Sequence, residues 1–215
     1  MANHIKNTIE FTADESLSEI QKRKMIKEIT NFIYGGTEDT DILYIDFNTI
    51  IKQPEELNIK AGTLAEPLVD KVIKESNNNP NKIKKILKEN FYELFDLSNE
   101  EIELTKKYLI NYINHKHIHW LTWRMHHWGT KWNAYKQKIY SFDCIEFYTA
   151  WSAPVPVVLK LSELFPDVLI TLTYADEDIG NNCGTYIFSN GTIIKENILT
   201  GRKAEKFAIE FLSRG

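Results

Sequence analysis

The chain has 215 residues, of which 43% are hydrophobic and 26% are charged, and its formal net charge is −4. These values are ordinary for a soluble globular protein. An acidic chain is a poor candidate for sequence-independent binding to nucleic-acid backbones, because that binding depends on Lys and Arg. The sequence starts without a signal-peptide pattern, and no apolar run approaches the ~20 residues that span a bilayer. We therefore expect a cytoplasmic protein with no membrane contact.

The beginning of the sequence predicts two strands and a helix. Residues 3–11 alternate apolar and polar side chains and indicate a short strand. Apolar residues then recur at helical spacing over residues 18–33, and Gly35 with Gly36 ends that helix. Residues 42–51 alternate again and predict a second strand or extended segment.

A helical insertion is predicted over residues 58–118. The helical spacing of apolar residues is strongest over residues 82–115, where it includes Phe91 and Leu94. Residues 98–101 resemble a capping box, in which Ser and Glu side chains satisfy backbone N–H groups at a helix start. A second helix is therefore expected to begin there.

The last part of the sequence predicts strands, helices and a hairpin. Asn190 followed by Gly191 is the strongest short-range signal for a hairpin turn. Alternation indicates the strands, and apolar residues at helical spacing indicate the helices. The predicted strands are 139–151 and 168–174, the hairpin is 185–198, and the helices are 154–165 and 203–214.

Together these elements predict an α+β fold with a mostly antiparallel sheet and helices on one face. The βαβ units are compatible with a split, ferredoxin-like sheet. We assign residues 1–57 and 119–215 to this ferredoxin-like α+β domain. Residues 58–118 form the predicted helical insertion.

An aromatic block at residues 115–156 contains all five tryptophans and five of the six histidines. Clustered aromatic side chains are most often buried, so the block could pack the core. Aromatic rings interleaved with basic residues are also typical of a stacking surface for single-stranded nucleic acid. Both interpretations stay open. The partner-binding candidates in this block are Arg124, His126, His127, Trp128, Lys131 and Trp132.

Three histidines of the block, His115, His117 and His119, alternate along the chain. On an extended segment their rings would share one face and could bind a metal, since histidine is the commonest metal ligand. No carboxylate or cysteine lies close enough to these histidines in the block to complete a four-ligand zinc set. The competing interpretation is a polar helix end, where the helix dipole favours protonated histidine. We predict no metal site.

An acidic turn is formed by Asp176, Glu177 and Asp178, which two asparagines follow. Their oxygen atoms are of the type that Ca²⁺ and Mg²⁺ prefer, but the twelve-residue EF-hand pattern is missing. A solvated turn is the favoured interpretation, because such residues are common in turns for their backbone conformations. These three acidic residues are further partner-binding candidates.

The sequence contains no recognisable catalytic constellation. The two cysteines, Cys144 and Cys183, lack CxxC spacing and indicate a reducing compartment. Acidic neighbours are expected to raise the pKa of Cys183, which makes it a poor nucleophile. The sequence has no nucleophile elbow, phosphate-binding loop or zinc-protease motif. We therefore predict a protein that is not an enzyme and has no cofactor.

Five blocks of the sequence stand out as motifs: MANHIKNTIEF (1–11), YIDFNTIIKQPEEL (44–57), WRMHHWGTKWNAY (123–135), FYTAWSAPVPVVLKLSELFPD (147–167) and YADEDIGNNCG (174–184). In this order they resemble the YubB ferredoxin-like, or Api92-like, family of phage and plasmid proteins. The resemblance implies a ferredoxin-like domain and a home in mobile elements or prophages, and it brings no catalytic residues. Two cysteines cannot ligate an iron–sulfur cluster, which takes four, so the name describes the fold alone.

The acidic charge, the missing catalytic motif and the resemblance favour a binding protein. We expect it to bind and inhibit a host protein, such as a CRISPR effector or another nucleic-acid-guided defence complex. Acidic turns at Asp14–Glu15, Glu38–Asp39 and Asp176–Asp178 could occupy a basic nucleic-acid groove on that partner. The alternative is a protein that binds single-stranded nucleic acid through the aromatic block.

Overall fold

The computed structural model describes residues 2–38, 41–89 and 97–214, which form two compact units. The first unit is Met1–Lys52 with Arg124–Gly215, and the second is Gln53–Trp123. The strands are β1 (His4–Ala13), β2 (Gly36–Glu38), β3 (Asp41–Leu43), β4 (Tyr135–Ser141), β5 (Cys144–Ala150), β6 (Val168–Asp176), β7 (Cys183–Ser189) and β8 (Thr192–Leu199). The helices are α1 (Glu19–Ile33), α2 (Phe47–Ile50), α3 (Glu66–Glu75), α4 (Pro80–Lys88), α5 (Asn99–His115), α6 (Trp120–His127), α7 (Val155–Leu164) and α8 (Gly201–Ser213), with a short 3₁₀ helix at Glu55–Leu57.

Six strands of the first unit form one antiparallel sheet in the order β4-β5-β1-β6-β7-β8. The central strand is β1, in which Ile9 pairs with Ile145 of β5 and with Leu172 of β6. The chain order β1, α1, β4, β5, α7, β6, with β1 between β5 and β6, is the ferredoxin-like arrangement. Strands β7 and β8 extend this sheet as a hairpin. The predicted α+β class and mostly antiparallel sheet are confirmed.

Helices cover both faces of the sheet, which corrects the prediction of helices on one face. Ile5 lies on the face that packs against α1 and α7, whereas its neighbour Lys6 points to the other face. Ala175 is the cross-strand partner of Lys6 and shares that second face. Helix α8 covers it through a cluster of Ala175, Cys183, Ala204, Ala208 and Phe211. Two members of this cluster, Ala175 and Cys183, are apolar side chains of the second face of the sheet, so burying them requires another layer.

A buried ion pair lies on the second face under α8. Nζ of Lys6 is 3.0 Å from Oε2 of Glu146, and both side chains are buried. Lys6 also donates to the main-chain oxygen of Arg214, and its ammonium lies 5.6 Å from the centroid of the Phe211 ring. A lysine of the sheet therefore binds the C-terminal end of α8, where helix carbonyl groups lack intrahelical partners.

The prediction of a strand or extended segment over residues 42–51 is wrong in part, because β3 ends and α2 begins inside this stretch. Asp46 caps α2 by accepting a hydrogen bond from a main-chain N–H at 2.9 Å. The side chain of Gln137 makes the main-chain hydrogen bonds here that a partner strand would otherwise make. It accepts from Ile45 N–H at 2.7 Å and donates to Ile45 O at 2.9 Å.

Residues 139–151 belong to two strands, and the prediction of one core strand is corrected. Strands β4 and β5 are joined by a tight turn at Phe142 and Asp143. Ser141 pairs with Cys144 across that turn. The turn contains none of the Gly or Asn residues that usually identify one, so the alternation of side chains hid it.

The second unit has a core of its own, between α3, α4 and α5. Within it, the Tyr108 hydroxyl donates to Lys60 O at 2.6 Å, and the Asn111 side chain donates to Glu56 O at 2.9 Å. Its buried apolar residues are Ala65, Val69, Val72, Ile73, Ile83, Tyr108, Leu109 and Ile118.

The capping box predicted for the second helix is present, because Ser98 and Glu101 exchange hydrogen bonds at the start of α5. Phe91 and Leu94, which contributed to the helical spacing, lie outside the described residues, as does Asp39 of one predicted acidic turn. The predicted insertion 58–118 lies within the second unit. None of the helices in the described ranges is long and apolar enough to cross a membrane.

Candidate functional site

Trp128 belongs to the core of the first unit, which corrects its place among the partner-binding candidates. Its side chain is fully buried, and its Nε1–H donates to the main-chain oxygen of Ile51 at 2.9 Å. Its ring meets Phe47 edge-to-face, with centroids 5.7 Å apart. The next residue, Gly129, has a φ of 74°, and a Cβ there would lie 2.7 Å from Cδ of Pro156. The bend after Trp128 therefore requires glycine.

Arg124 packs on Trp128, with the guanidinium carbon 4.7 Å from the ring centroid. Burial lowers the pKa of this guanidinium below its usual value, and the carboxylate of Asp46 opposes that change. His126 is exposed and His127 is half-buried, and their ring centroids lie 4.8 Å apart. This pair offers two of the three or four protein ligands that zinc takes.

Lys131 and Trp132 lie at the surface together with Trp151. Trp132 is 37% exposed and Trp151 is 40% exposed. Nζ of Lys131 lies 5.2 Å from the centroid of the Trp132 ring and 4.5 Å from that of the Trp151 ring. Tryptophan is enriched among the residues that dominate binding energy in protein interfaces. Two partly exposed indoles around one cation are therefore a candidate binding feature.

The main chain of Trp151 has an unusual conformation. Its φ is 77°, in the left-handed region that a bulky residue rarely adopts. Its N–H donates to Asn3 O at 3.0 Å, and its carbonyl oxygen accepts from the Asn182 side chain at 3.1 Å. Strain of this kind persists only where neighbours hold it, and it clusters at functional sites.

The structure brings the acidic turn to the same end of the sheet as Trp151. Asp176 is buried, and its carboxylate accepts from the side chains of Asn3 and Asn182, at 3.3 and 3.1 Å. It also accepts from Asp178 N–H at 2.9 Å. Asp176 therefore shapes the turn from inside, and this corrects its place among the residues that contact a partner. Asn182 links the turn to Trp151, because it donates to both.

Glu177 and Asp178 are exposed on this turn. The N–H of His4 donates to Oε1 of Glu177 at 2.9 Å, and the N–H of Glu177 donates to His4 O at 3.0 Å. Oδ2 of Asp178 accepts from the Asn181 side chain at 3.0 Å. Two carboxylates therefore stand on a turn whose main chain is bound to the start of β1.

Tyr135 connects the indoles to the acidic turn. Its ring centroid lies 5.9 Å from that of Trp132. Its hydroxyl donates to Thr149 O at 3.1 Å and lies 2.5 Å from Nδ1 of His4. Burial raises the pKa of Tyr135 to about 12, and the charge of Glu177 adds to that rise. The hydroxyl therefore stays protonated at neutral pH and keeps its bond to Thr149.

We call four exposed side chains of this region, together with the half-buried Lys131, the aromatic–acidic surface. All of them belong to the first unit. They offer two indole rings, one cation and two carboxylates on a main chain that hydrogen bonds hold in place, which is an arrangement suited to binding. Its members are Lys131, Trp132, Trp151, Glu177 and Asp178.

The alternating histidines are not arranged as an extended metal site would need. His115 lies in the last turn of α5, and Lys116 ends that helix with a φ of 63°. This position agrees with the helix-end interpretation for His115. His119 is buried in the second unit, with Nε2 3.3 Å from Oε1 of Glu66. Burial lowers the pKa of His119, and Glu66 opposes that change.

Neither cysteine is an activated thiol. Both are free, and burial raises the pKa of Cys144 to about 11, with further contributions from Glu10 and Asp143. Burial also raises the pKa of Cys183. The predicted rise in the pKa of Cys183 is therefore confirmed, but its cause is burial and not acidic neighbours. A protonated thiol is a weak nucleophile.

Sequence reasoning did not select Asn3, His4, Tyr135 or Trp151 as functional candidates. Trp151 alone carried a signal, because a tryptophan directly follows a strand and precedes a proline-containing helix start. The other three residues lie at the ends of strands that meet only in the folded sheet. Their partnership is therefore not visible in local sequence.

The topology and the aromatic–acidic surface define a ferredoxin-like α+β domain with a candidate binding surface at one end of its sheet. Residues 127–210 match the family described as the ferredoxin-like domain in Api92-like protein, which confirms the resemblance to Api92-like proteins. The crystal structure of a protein Api92 from Yersinia pseudotuberculosis is similar at 9% identity, covering 94% of this chain and 99% of that chain, with a TM-score of 0.39. A search of curated proteins finds no match.

Proposed function

We propose that this chain is a non-enzymatic binding protein, encoded by a phage or another mobile element, that acts in the cytoplasm of a bacterial host. The proposed partner is a host protein, in particular a nucleic-acid-guided defence complex such as a CRISPR effector, which it inhibits. The resemblance to Api92-like proteins supports the mobile-element origin. The observation that carries the binding role is the aromatic–acidic surface.

Trp151 is the strongest single argument for binding. A glycine would adopt its φ without strain, whereas a tryptophan there costs roughly 1–3 kcal/mol. The indole is nevertheless 40% exposed, so its burial in the fold returns only part of that energy. Contact with a partner would bury the exposed part of the indole. Tryptophan is enriched among the few interface residues whose truncation costs at least about 2 kcal/mol of binding free energy.

The two exposed carboxylates favour a basic partner. Glu177 and Asp178 lie on a turn held by hydrogen bonds, and Asn182 links this turn to the main chain of Trp151. Charged groups at the edge of an interface steer encounter and select partners with complementary charge. A groove that binds nucleic acid has such a positive charge, which is why a nucleic-acid-guided complex fits this surface.

Affinity purification of the tagged chain from its bacterial host, with and without nuclease, tests this proposal. Recovery of one host protein in both samples supports it. The double variant Trp132→Ala/Trp151→Ala should reduce that recovery at least about tenfold. Ile209→Ala, which removes an exposed apolar side chain of α8, is the matched control and should leave the recovery of the host protein unchanged. Equal recovery with the double variant would reject the aromatic–acidic surface as the interface.

A second candidate function is binding of single-stranded nucleic acid, and the position of Lys131 favours it. Its ammonium lies near two partly exposed indoles, which can stack on bases while the lysine contacts phosphate. Titration with a fluorescent oligonucleotide should then show tight binding that weakens with Trp132→Ala and with salt. Binding that is insensitive to Trp132→Ala would exclude this role.

Charge removal separates the two candidates. The double variant Glu177→Gln/Asp178→Asn should weaken binding to a basic protein partner but strengthen binding to nucleic acid, because the carboxylates repel phosphate. Glu28→Gln, an exposed carboxylate on α1, is the control for loss of negative charge elsewhere. The sign of the change therefore identifies the partner class.

A further inference from the structure

A groove on the first unit lies between α1 and the turn that joins β4 to β5, and it shares no residue with the aromatic–acidic surface. Its volume is about 510 Å³. Small-molecule sites in proteins commonly have volumes of about 300–1,000 Å³. Its lining includes the side chains of Arg23, Lys27, Asn31, Tyr34, Tyr44 and Phe142.

The groove contains aromatic rings that the fold leaves partly uncovered. Tyr34 is 48% exposed and Phe142 is 44% exposed. The guanidinium carbon of Arg23 lies 4.5 Å from the centroid of the Phe142 ring. A flat ligand can stack on aromatic rings and on guanidinium planes, and burying these rings would be favourable. The groove is therefore suited to a planar, aromatic group.

Its charge has one sign. Arg23 and Lys27 lie four residues apart on α1, so their side chains are neighbours on one side of that helix. Both side chains are exposed. No Asp or Glu belongs to the lining of this groove in the described part of the chain, although the whole chain is acidic. Two neighbouring cations without a carboxylate favour an anionic group on the ligand.

The groove also offers hydrogen bonds of both kinds. The amide of Asn31 and the hydroxyl of Tyr44 each donate and accept. Such groups can bind the edge of a heterocycle, which presents donors and acceptors in its plane. We propose that this groove binds a free aromatic anion of mononucleotide size. The anionic group binds Arg23 and Lys27, and the ring lies against Tyr34 and Phe142.

Isothermal titration calorimetry of the full chain with three probes tests the proposal. The probes are adenosine 5′-monophosphate, adenosine, which lacks the anion, and inorganic phosphate, which lacks the ring. The monophosphate should bind at least about tenfold more tightly than either of the others. Equal affinity for the monophosphate and phosphate would overturn the stacking part, and equal affinity for the monophosphate and adenosine would overturn the anion part.

Substitutions then place the ligand in this groove. Arg23→Gln/Lys27→Gln should remove the preference for the monophosphate over adenosine, while Tyr34→Ala should weaken both. Lys24→Gln removes an exposed cation of α1 that does not line the groove, and it should leave binding unchanged. Trp132→Ala should also leave it unchanged, so the outcome is independent of the proposed function. Binding that survives all the groove substitutions would overturn the assignment.

Discussion

Trp128 and Trp151 come from the same aromatic block but have opposite environments. Trp128 is fully buried, and its Nε1–H bonds to Ile51 O. Trp151 is 40% exposed, and its neighbours hold its main chain while its ring remains in contact with solvent. The fold therefore fixes the side chain of Trp128. At Trp151 the hydrogen bonds fix the main chain and leave the ring partly exposed.

This difference shows how one cluster of aromatic residues can both build the core and supply the proposed binding surface. A buried indole needs a partner for its N–H and close packing for its ring. An indole used for binding needs a fixed main chain and an open face, which preorganises it for contact. The hydrogen bonds around each tryptophan, and not the composition of the block, therefore distinguish the two roles.

The largest expected effect is on the buried member of the pair. Trp128→Ala should lower the free energy of unfolding by about 3–5 kcal/mol, because it leaves a cavity beside Phe47 and removes the bond to Ile51. Urea denaturation measures this loss. Trp132→Ala, at a partly exposed ring of the same block, should lower it by no more than about 1 kcal/mol. Equal losses for the two variants would contradict the comparison.

A smaller effect is expected at the bend that places Trp128. Gly129→Ala should cost at least about 2 kcal/mol, since the new methyl group meets Pro156 and the φ of 74° disfavours any side chain. Gly36→Ala is the matched control, with a φ of 93° and open space around the new methyl group. It should cost only about 1–2 kcal/mol. Thermal melts of both variants isolate the contribution of the contact with Pro156.

A third test separates strain from binding at Trp151. Trp151→Gly should be more stable than Trp151→Ala by about 0.5–1 kcal/mol, because glycine adopts a φ of 77° without strain. Both variants should lose partner binding equally, since both lack the indole. Urea denaturation and a binding assay on the same samples measure the two properties. A glycine variant that is no more stable than the alanine variant would show that the backbone is not strained.

The last effect appears only at alkaline pH and concerns Tyr135. The folded pKa of about 12 lies above the unfolded value of about 10, so folding favours the protonated hydroxyl. Its contribution to stability is fully present below about pH 10 and is lost as the pH rises through about 12. Between about pH 9 and about pH 11.5, wild-type stability should fall more than that of Tyr135→Phe. Thermal melts of both proteins across this pH range measure the loss. If the stability of wild type and Tyr135→Phe falls equally with pH, this linkage is excluded.

Most of the sheet was predictable because its signals are local. The hairpin between β7 and β8 follows from Asn190 and Gly191, and β1 follows from alternation. The segment at residues 42–51 was not predictable, because its hydrogen bonds go to Gln137, far along the chain. The turn between β4 and β5 was not predictable for a different reason, because alternating side chains continue through it without a glycine.

The candidate site was predictable only in its composition. Lys131, Trp132 and the acidic turn were selected from the sequence, and the structure places them at one end of the sheet. The sequence allowed tryptophans of the block to be buried but did not identify Trp128 as one of them, and it did not indicate the burial of Asp176, because both depend on partners from other strands and loops. Residue type indicates which side chains can bind a partner, and the topology decides which of them reach the surface.

The central place of β1 has a consequence for how the chain folds. Ile5 must pair with Thr149 on one side and with Asp176 on the other. During synthesis, β1 therefore leaves the ribosome long before either neighbouring strand has been made. Until then its hydrophobic residues have no strand to pair with. The helices of the second unit need only local contacts and can form in that interval. Long-range pairing of this kind slows folding and leaves a newly made chain open to aggregation.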